Sequence, residues 1–187
     1  MSLKLTFLGT GGAFTDYRKN YQNNAMVETD IGPVLIDCGV TAVQSLKEMG
    51  HKPWDNAGVI ITHTHSDHAG GLEHLIWERC YTGPSGPGFL RTGIHSNPTI
   101  VRDLIRMLSS PLEEFTDRDG VAKGDGLHRL VEMHSILRPF EIGGVKFSLH
   151  KTPHVVGPSV DKPTYGILIE RGDKTVYYSA DTTFRAD

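Results

Sequence analysis

Cysteine is scarce in this chain of 187 residues: it has two, Cys38 and Cys80, far apart in sequence. Two such cysteines make neither a disulfide framework nor a thiolate metal pair. A reducing compartment is the simplest expectation, and the chain is read as cytoplasmic. An excess of charge of one sign is also lacking. A formal net charge of -3 leaves no basic face for gripping nucleic acid through its phosphates alone, although a local basic patch is compatible with it. No apolar run approaches the roughly 18 residues of a membrane span. The first residues alternate as a strand does and do not resemble a secretory leader. What is left, at 38% hydrophobic and 22% charged, is the composition of a single globular domain with a sizeable core.

Periodicity assigns the elements. Residues 3–8 (LKLTFL) alternate apolar and polar positions, a strand pattern that Gly9-Thr10-Gly11-Gly12 breaks. Residues 25–29 and 33–38 (PVLIDC) read as a hairpin about the Asp30-Ile31-Gly32 turn. Residues 41–49 form a short helix with Val43, Leu46 and Met49 at helical spacing, stopped by Gly50. Residues 58–62 (GVIIT) read as a buried strand, and a helix through Leu72, Leu75 and Ile76 follows Gly70-Gly71. Residues 81–90 are rich in glycine and proline and read as loop. Residues 98–108 read as a helix with Ile100, Leu104, Ile105 and Leu108 on one face, and residues 111–125 as an exposed acidic stretch. The strand pattern returns at 130–136, 145–150, 165–170 and 175–179. Strands, helix, then strands again fit two packed sheets with helices outside. Residues 81–125 are expected to be a helical and loop insert in one domain spanning 1–187 and to act as a lid or a dimer contact, the competing reading being a peripheral elaboration.

The chemistry is concentrated after the strand at 58–62. His63, His65, Asp67 and His68 lie within the run HTHSDH. Residues two apart in an extended segment point the same way, so His63 and His65 can converge on one metal. The chain then turns into a helix that presents Asp67 and His68 beside them. Closely set ligands suit a dinuclear site, whose metals sit only about 3.5–4 Å apart. Imidazole and carboxylate ligands suit zinc, manganese or iron. A cluster of solvated loop histidines would not need a buried strand before it and Gly-Gly and a helix after it. Two further ligands are expected just past strand ends: His154, after a strand ending near His150, and Asp181, after 175–179. Taken singly, His154 could be a loop histidine and Asp181 a turn or helix cap. Asp37 ends an apolar run and is either an acceptor for a ligand histidine or a strand-end turn residue. Gly9 to Gly12 is not a dinucleotide fingerprint and reads as a tight turn beside the metal site. His51, His74, His95, His128, His134 and His150 have no partner spacing and are assigned packing or surface roles.

Several segments carry a family resemblance: Phe7 to Phe14 (FLGTGGAF), Val34 to Gly39 (VLIDCG), the His63 to His68 motif, His154, Tyr165-Gly166 and Ser179-Ala180-Asp181-Thr182. In these the chain resembles the metallo-β-lactamase superfamily and, within it, the ribonuclease Z-like branch that includes cyclic-nucleotide phosphodiesterases of the anti-Pycsar type. The resemblance implies an αββα four-layer sandwich. It implies that His63, His65 and His154 hold metal one, that Asp67 and His68 hold metal two, and that Asp181 bridges. The family's final histidine on metal two, downstream of the bridging aspartate, has no counterpart, since no histidine follows His154. By the same resemblance the fold's last strands and helix are expected to lie beyond this sequence. The sequence is therefore expected to be an incomplete version of a longer gene product.

Paired metals acidify a shared water, so that hydroxide attacks near neutral pH, with Asp67 orienting it as the catalytic residue. The aspartate at 181 offers oxygen, the donor suited to phosphoesters rather than to a cysteine-containing lactamase site. The expected enzyme is a metal-dependent phosphodiesterase acting on a small cyclic nucleotide, with two zinc ions (manganese or iron as substitutes), and it is expected to be a homodimer away from membranes. Ribonuclease Z relatives clamp tRNA with an arm inserted before the bridging aspartate, and residues 166–180 leave no room for one. A tRNA 3′-end endonuclease acting on RNA remains the first alternative. A glyoxalase II-like thioesterase and a metal-binding or RNA-binding module without turnover are the others.

Overall fold

Short apolar runs separated by glycine form the strands of the computed structural model, which describes residues 2–84, 91–117, 119–157 and 160–183. In chain order the first strands are β1 (Leu5–Phe7), β2 (Ala25–Val27), β3 (Val34–Ile36), β4 (Gly58–Ile60) and β5 (Thr92–Ser96). Then come β6 (Glu114–Thr116), β7 (Ala122–Gly124), β8 (Val131–Ser135), β9 (Phe140–Ile142), β10 (Val145–Gly157), β11 (Val160–Arg171) and β12 (Lys174–Tyr178). The helices are α1 (Ala42–Glu48), α2 (Ser66–Ala69), α3 (Leu72–Thr82), α4 (Pro98–Ser109) and α5 (Gly126–Leu130).

One sheet has six strands in the order β1-β2-β3-β4-β5-β8 and the other four in the order β12-β11-β10-β9. β1, β2 and β3 pair antiparallel, and β3, β4, β5 and β8 pair parallel. The four-stranded sheet is antiparallel throughout. Side chains alternate across a strand, so β2, β3 and β4 of the larger sheet each feed two cores. Met26, Leu35, Val59 and Ile94 pack against Val43, Leu46, Leu72, Leu75, Ile76 and Leu104 of the helices. Ala25, Val27, Val34, Ile36 and Ile60 instead meet Val145, Phe147, Ile167 and Ile169 of the smaller sheet. Burial on both faces is why these strands read as continuous apolar runs. Helices and two sheets make three layers of the expected αββα sandwich among the described residues. No described helix is long and apolar enough to cross a membrane.

Several sequence expectations need correction. Met49 is 46% exposed, because the buried face of α1 is Ala42, Val43, Ser45 and Leu46. Ile105 is 36% exposed, because the stripe of α4 runs through Ile100, Val101, Leu104 and Leu108. The loop expected from residue 81 starts later, since α3 continues to Thr82; residues 85–90 of that stretch lie outside the described residues. The stretch 111–125 is not uniformly exposed: Leu112 and Phe115 join the helical core, and β6 pairs with β7. β5 lies between β4 and β8, so part of residues 81–125 is built into the larger sheet. Finally, β10 does not end near His150. It runs through His154 to Gly157, which places that histidine inside a strand.

Candidate metal centre

Asp37 organises the first group of ligands. It follows β3 in the left-handed region, with φ 65°, and its N–H donates to the Ile60 carbonyl at 2.8 Å. That turn points its carboxylate at the chain leaving β4. Oδ1 accepts from the Thr62 N–H at 2.8 Å and from the Thr62 hydroxyl at 2.9 Å. Oδ2 accepts from His68 Nδ1 at 2.7 Å. The Thr62 hydroxyl gives its proton to Asp37, so its oxygen is left to accept from His63 Nδ1, 3.1 Å away. One buried carboxylate thereby fixes two imidazoles with their Nε2 atoms turned to the site. Both sequence readings of Asp37 hold at once: it is the acceptor and it makes the turn.

Close backbone approach locks the same loop. The Cys38 N–H donates to the His68 carbonyl at 2.7 Å, and the Gly71 N–H to the Cys38 carbonyl at 2.9 Å. A Cβ on Gly39 would sit 2.0 Å from the Asp67 carbonyl oxygen, so only glycine fits there. Buried Asn24 accepts from the Gly39 N–H at 2.7 Å. Sequence reasoning missed Thr62, Asn24 and Gly39, whose partners lie far away along the chain. The one available signal was their adjacency to strand ends.

The second group comes from the smaller sheet. The β10–β11 register shifts between Thr152 and Val155, so Pro153 and His154 together oppose the single residue Pro163. Neither proline can donate to the ladder, and the resulting bulge re-aims His154. Ala180, with φ 52°, turns the chain after β12. The Pro153 carbonyl then accepts from the Thr183 N–H at 2.7 Å and the Thr182 hydroxyl at 3.0 Å. Those bonds seat Asp181 beside His154, their Oδ2 and Nε2 being 3.5 Å apart.

All six residues expected as ligands meet. His63, His65, His154 and Asp181 form one group, and Asp67, His68 and Asp181 another, each with ligand atoms within 4.8 Å of one another. Asp181 belongs to both. His65 Nδ1 lies 3.0 Å from His63 Nε2 and 3.2 Å from His154 Nε2. Tetrahedral zinc, with Zn–N bonds of about 2.0–2.1 Å, separates its ligands by about 3.3 Å, so the spacing fits a metal. Burial, with neighbouring His68 and His65, holds His63 down to about 3, keeping it neutral and able to ligate. Burial disfavours charge on His68 too, but its bonds to Asp181 and Asp37 carry it up to about 10. The His68 contact in turn lowers Asp181 to about 2, against its partial burial. Neutral His63 and anionic Asp181 are donors for a cation, whose binding would displace the extra proton that His68 holds without it.

A cavity of about 530 Å³ opens above these groups, floored by His65, Asp67, His68, His154 and Asp181. Its other wall is the segment from Thr10 to Phe14 with Asn23, which puts the glycine-rich turn beside the site. The remaining histidines stay apart from it. His74 reaches Glu78 on the surface of α3, and His95 stacks on His134 at 4.3 Å between β5 and β8.

The fold, with these clustered histidines and aspartates, is that of the metal-dependent hydrolases built on the metallo-β-lactamase fold. A family profile described as anti-Pycsar protein Apyc1 matches residues 3–187, and the chain belongs to that family. It is 32% identical over 193 residues to anti-Pycsar protein Apyc1 of Paenibacillus sp. (strain J14), covering 100% of this chain and 70% of that protein. It is 33% identical over 196 residues to the one from Bacillus phage 010DV004, with 98% and 70% covered. In structure it is similar to the metallo-β-lactamase fold protein YhfI from Bacillus subtilis. The TM-score is 0.75 at 19% identity, covering 98% of this chain and 65% of that one. The chain thus spans about two thirds of the length of its relatives.

Proposed function

We propose that the protein is a metal-dependent phosphodiesterase that opens the ring of a small cyclic nucleotide. The observation that carries this reading is Asp181, shared by two ligand groups on the floor of a cavity large enough for a nucleotide. His63, His65 and His154 would hold one divalent ion, and Asp67 and His68 the other, with Asp181 between them. Zinc suits this mixture of nitrogen and oxygen donors best, with manganese or iron as substitutes. When bound, the two ions supply an acidified water and neutralise charge on the phosphate.

The chain's own residues do the rest. Asp67 accepts the proton of the attacking water as its oxygen bonds to phosphorus; the ring P–O bond breaks, and the released ribose oxygen takes up a proton from solvent. His63, His68 and His154 turn their Nε2 atoms inward, where they would hold the ions. Family membership supports a nucleotide substrate. So does the hairpin joining β11 to β12, in which Arg171 pairs directly with Lys174 across Gly172 and Asp173. A turn that tight carries no arm for clamping tRNA.

The purified protein is incubated with zinc or manganese and a panel of 3′,5′-cyclic mononucleotides, and linear nucleotide is followed by chromatography. Metal-dependent opening of at least one ring, lost in His63→Ala and with a chelator, is expected. No turnover by protein carrying two metals refutes the proposal and directs attention to pre-tRNA 3′ ends.

A further inference from the structure

The N-terminal wall of the cavity holds no metal, yet it is held firmly in place. The Gly11 N–H donates to the Tyr21 carbonyl and the Asn23 N–H to the Gly11 carbonyl, both at 2.8 Å. Buried Gln22 donates through Nε2 to the Ala13 carbonyl at 3.2 Å, while its Oε1 accepts from the Thr41 N–H at 3.2 Å. The next residue after that anchored carbonyl is Phe14. It lines the cavity and is 101% exposed. A ring left wholly in water packs on nothing among the described residues, and covering it with an apolar surface is favourable. Across the same wall, half-buried Asn23 lines the cavity with a side-chain amide that makes no hydrogen bond among the described residues.

We propose that Phe14 and Asn23 form a nucleobase subsite: the base of the cyclic nucleotide stacks on the Phe14 ring and bonds the Asn23 amide along one edge. This rests on the function proposed above. An anchored aromatic and an unpaired amide share one cavity with the groups that would receive the phosphate. A mononucleotide presents the matching pair, an anionic phosphate and a flat polar-edged ring. Stacking tolerates any base, since every base offers a π-face. The amide carries a donor and an acceptor, so choice among bases falls to Asn23.

The zinc-loaded enzyme is assayed on 3′,5′-cyclic mononucleotides and on ribose 3′,5′-cyclic phosphate, which has the reacting group and no base. For wild type, kcat/KM is expected to favour the nucleotides. In Phe14→Ala the ratio of nucleotide to base-free kcat/KM falls about 10- to 100-fold, mostly through KM, as expected for loss of one aromatic stack. Phe14→Tyr restores the ratio, and Asn23→Ala narrows the spread among bases. A Phe14→Ala ratio equal to that of wild type overturns the subsite while leaving the phosphodiesterase standing. Wild type that opens neither kind of ring overturns both.

Discussion

Replacing Asp37 with asparagine tests the hydrogen-bond logic of the site while touching no metal. Asparagine has the shape of aspartate and tolerates the left-handed conformation that Asp37 adopts at φ 65°. The amide oxygen can still accept from the Thr62 N–H, which Oδ1 receives at 2.8 Å. The amide nitrogen then faces His68 Nδ1 in place of Oδ2, which lies 2.7 Å from that ring. Two donors cannot share that contact, so a neutral His68, the form a metal needs, would carry its proton on Nε2, the atom that faces Asp67 and Asp181 at 3.4 and 3.3 Å. A protonated Nε2 has no lone pair for a metal. Losing the partner of a ligand histidine typically costs about 10- to 100-fold in metal affinity. Loss of the charged hydrogen bond lowers metal-free stability by about 1.5–3 kcal/mol. Chelator competition on wild type and Asp37→Asn, with metal content after dialysis, measures the first quantity, and urea melts the second. One metal held as in wild type and the other weakened is the expected pattern. Asp37→Asn that keeps both metals at wild-type affinity refutes the argument.

Gly39→Ala would set a Cβ 2.0 Å from the Asp67 carbonyl; thermal melts and metal content should show a loss of about 2–4 kcal/mol together with weakened binding at Asp67 and His68. Added zinc at about 100 times its dissociation constant should stabilise the protein by about 2.7 kcal/mol, reversed by a chelator, and urea melts at fixed metal read this directly. The pH dependence of stability should carry a contribution from His95, which burial, with His134 beside it, lowers to about 4. The folded state there prefers neutral imidazole, so the unfolded chain binds more protons between about pH 4 and 6.5, and stability falls as the solution is acidified through that window. His95→Phe keeps the stack on His134 and Phe140 and should lose about 2–3 kcal/mol less than wild type between those limits; equal slopes for the two proteins refute this.

What the sequence revealed and what it hid divide along physical lines. His63, His65, Asp67 and His68 were legible because one short segment places all four, and strand and helix periods dictate where they point. Asp37 stayed ambiguous because its partners, Thr62 and His68, are 25 and 31 residues away. Asn24 and Gly39 were hidden for the same reason, since their roles exist only once β2, β3 and the loop after β4 are neighbours. The extent of β10 was misjudged at Pro153, which ends most strands. Here the opposing residue is also a proline, Pro163, so neither strand has a ladder bond to lose at that position. β5 carries only one strongly apolar residue, Ile94, and becomes a strand because β4 and β8 flank it.

The candidate ligands are divided between the two sheets. His63, His65, Asp67 and His68 follow a strand of the larger sheet, whereas His154 and Asp181 belong to the smaller one. Two kinds of contact hold these halves in register. Phe147, Ile167 and Ile169 pack on Ala25, Val34 and Ile60 between the sheets. At the edge of the site the Tyr165 N–H donates to the Thr62 carbonyl at 3.1 Å. That bond joins β11 to the residue which also orients His63. The hydrophobic contacts resist separation but are indifferent to small sliding, because apolar packing has little direction. Hydrogen bonds and metal coordination are directional and set the final ångström. A cation held at the proposed site would therefore depend on the sandwich for its geometry and fasten the sandwich in return, which is why metal affinity and fold stability should change together in variants of either sheet.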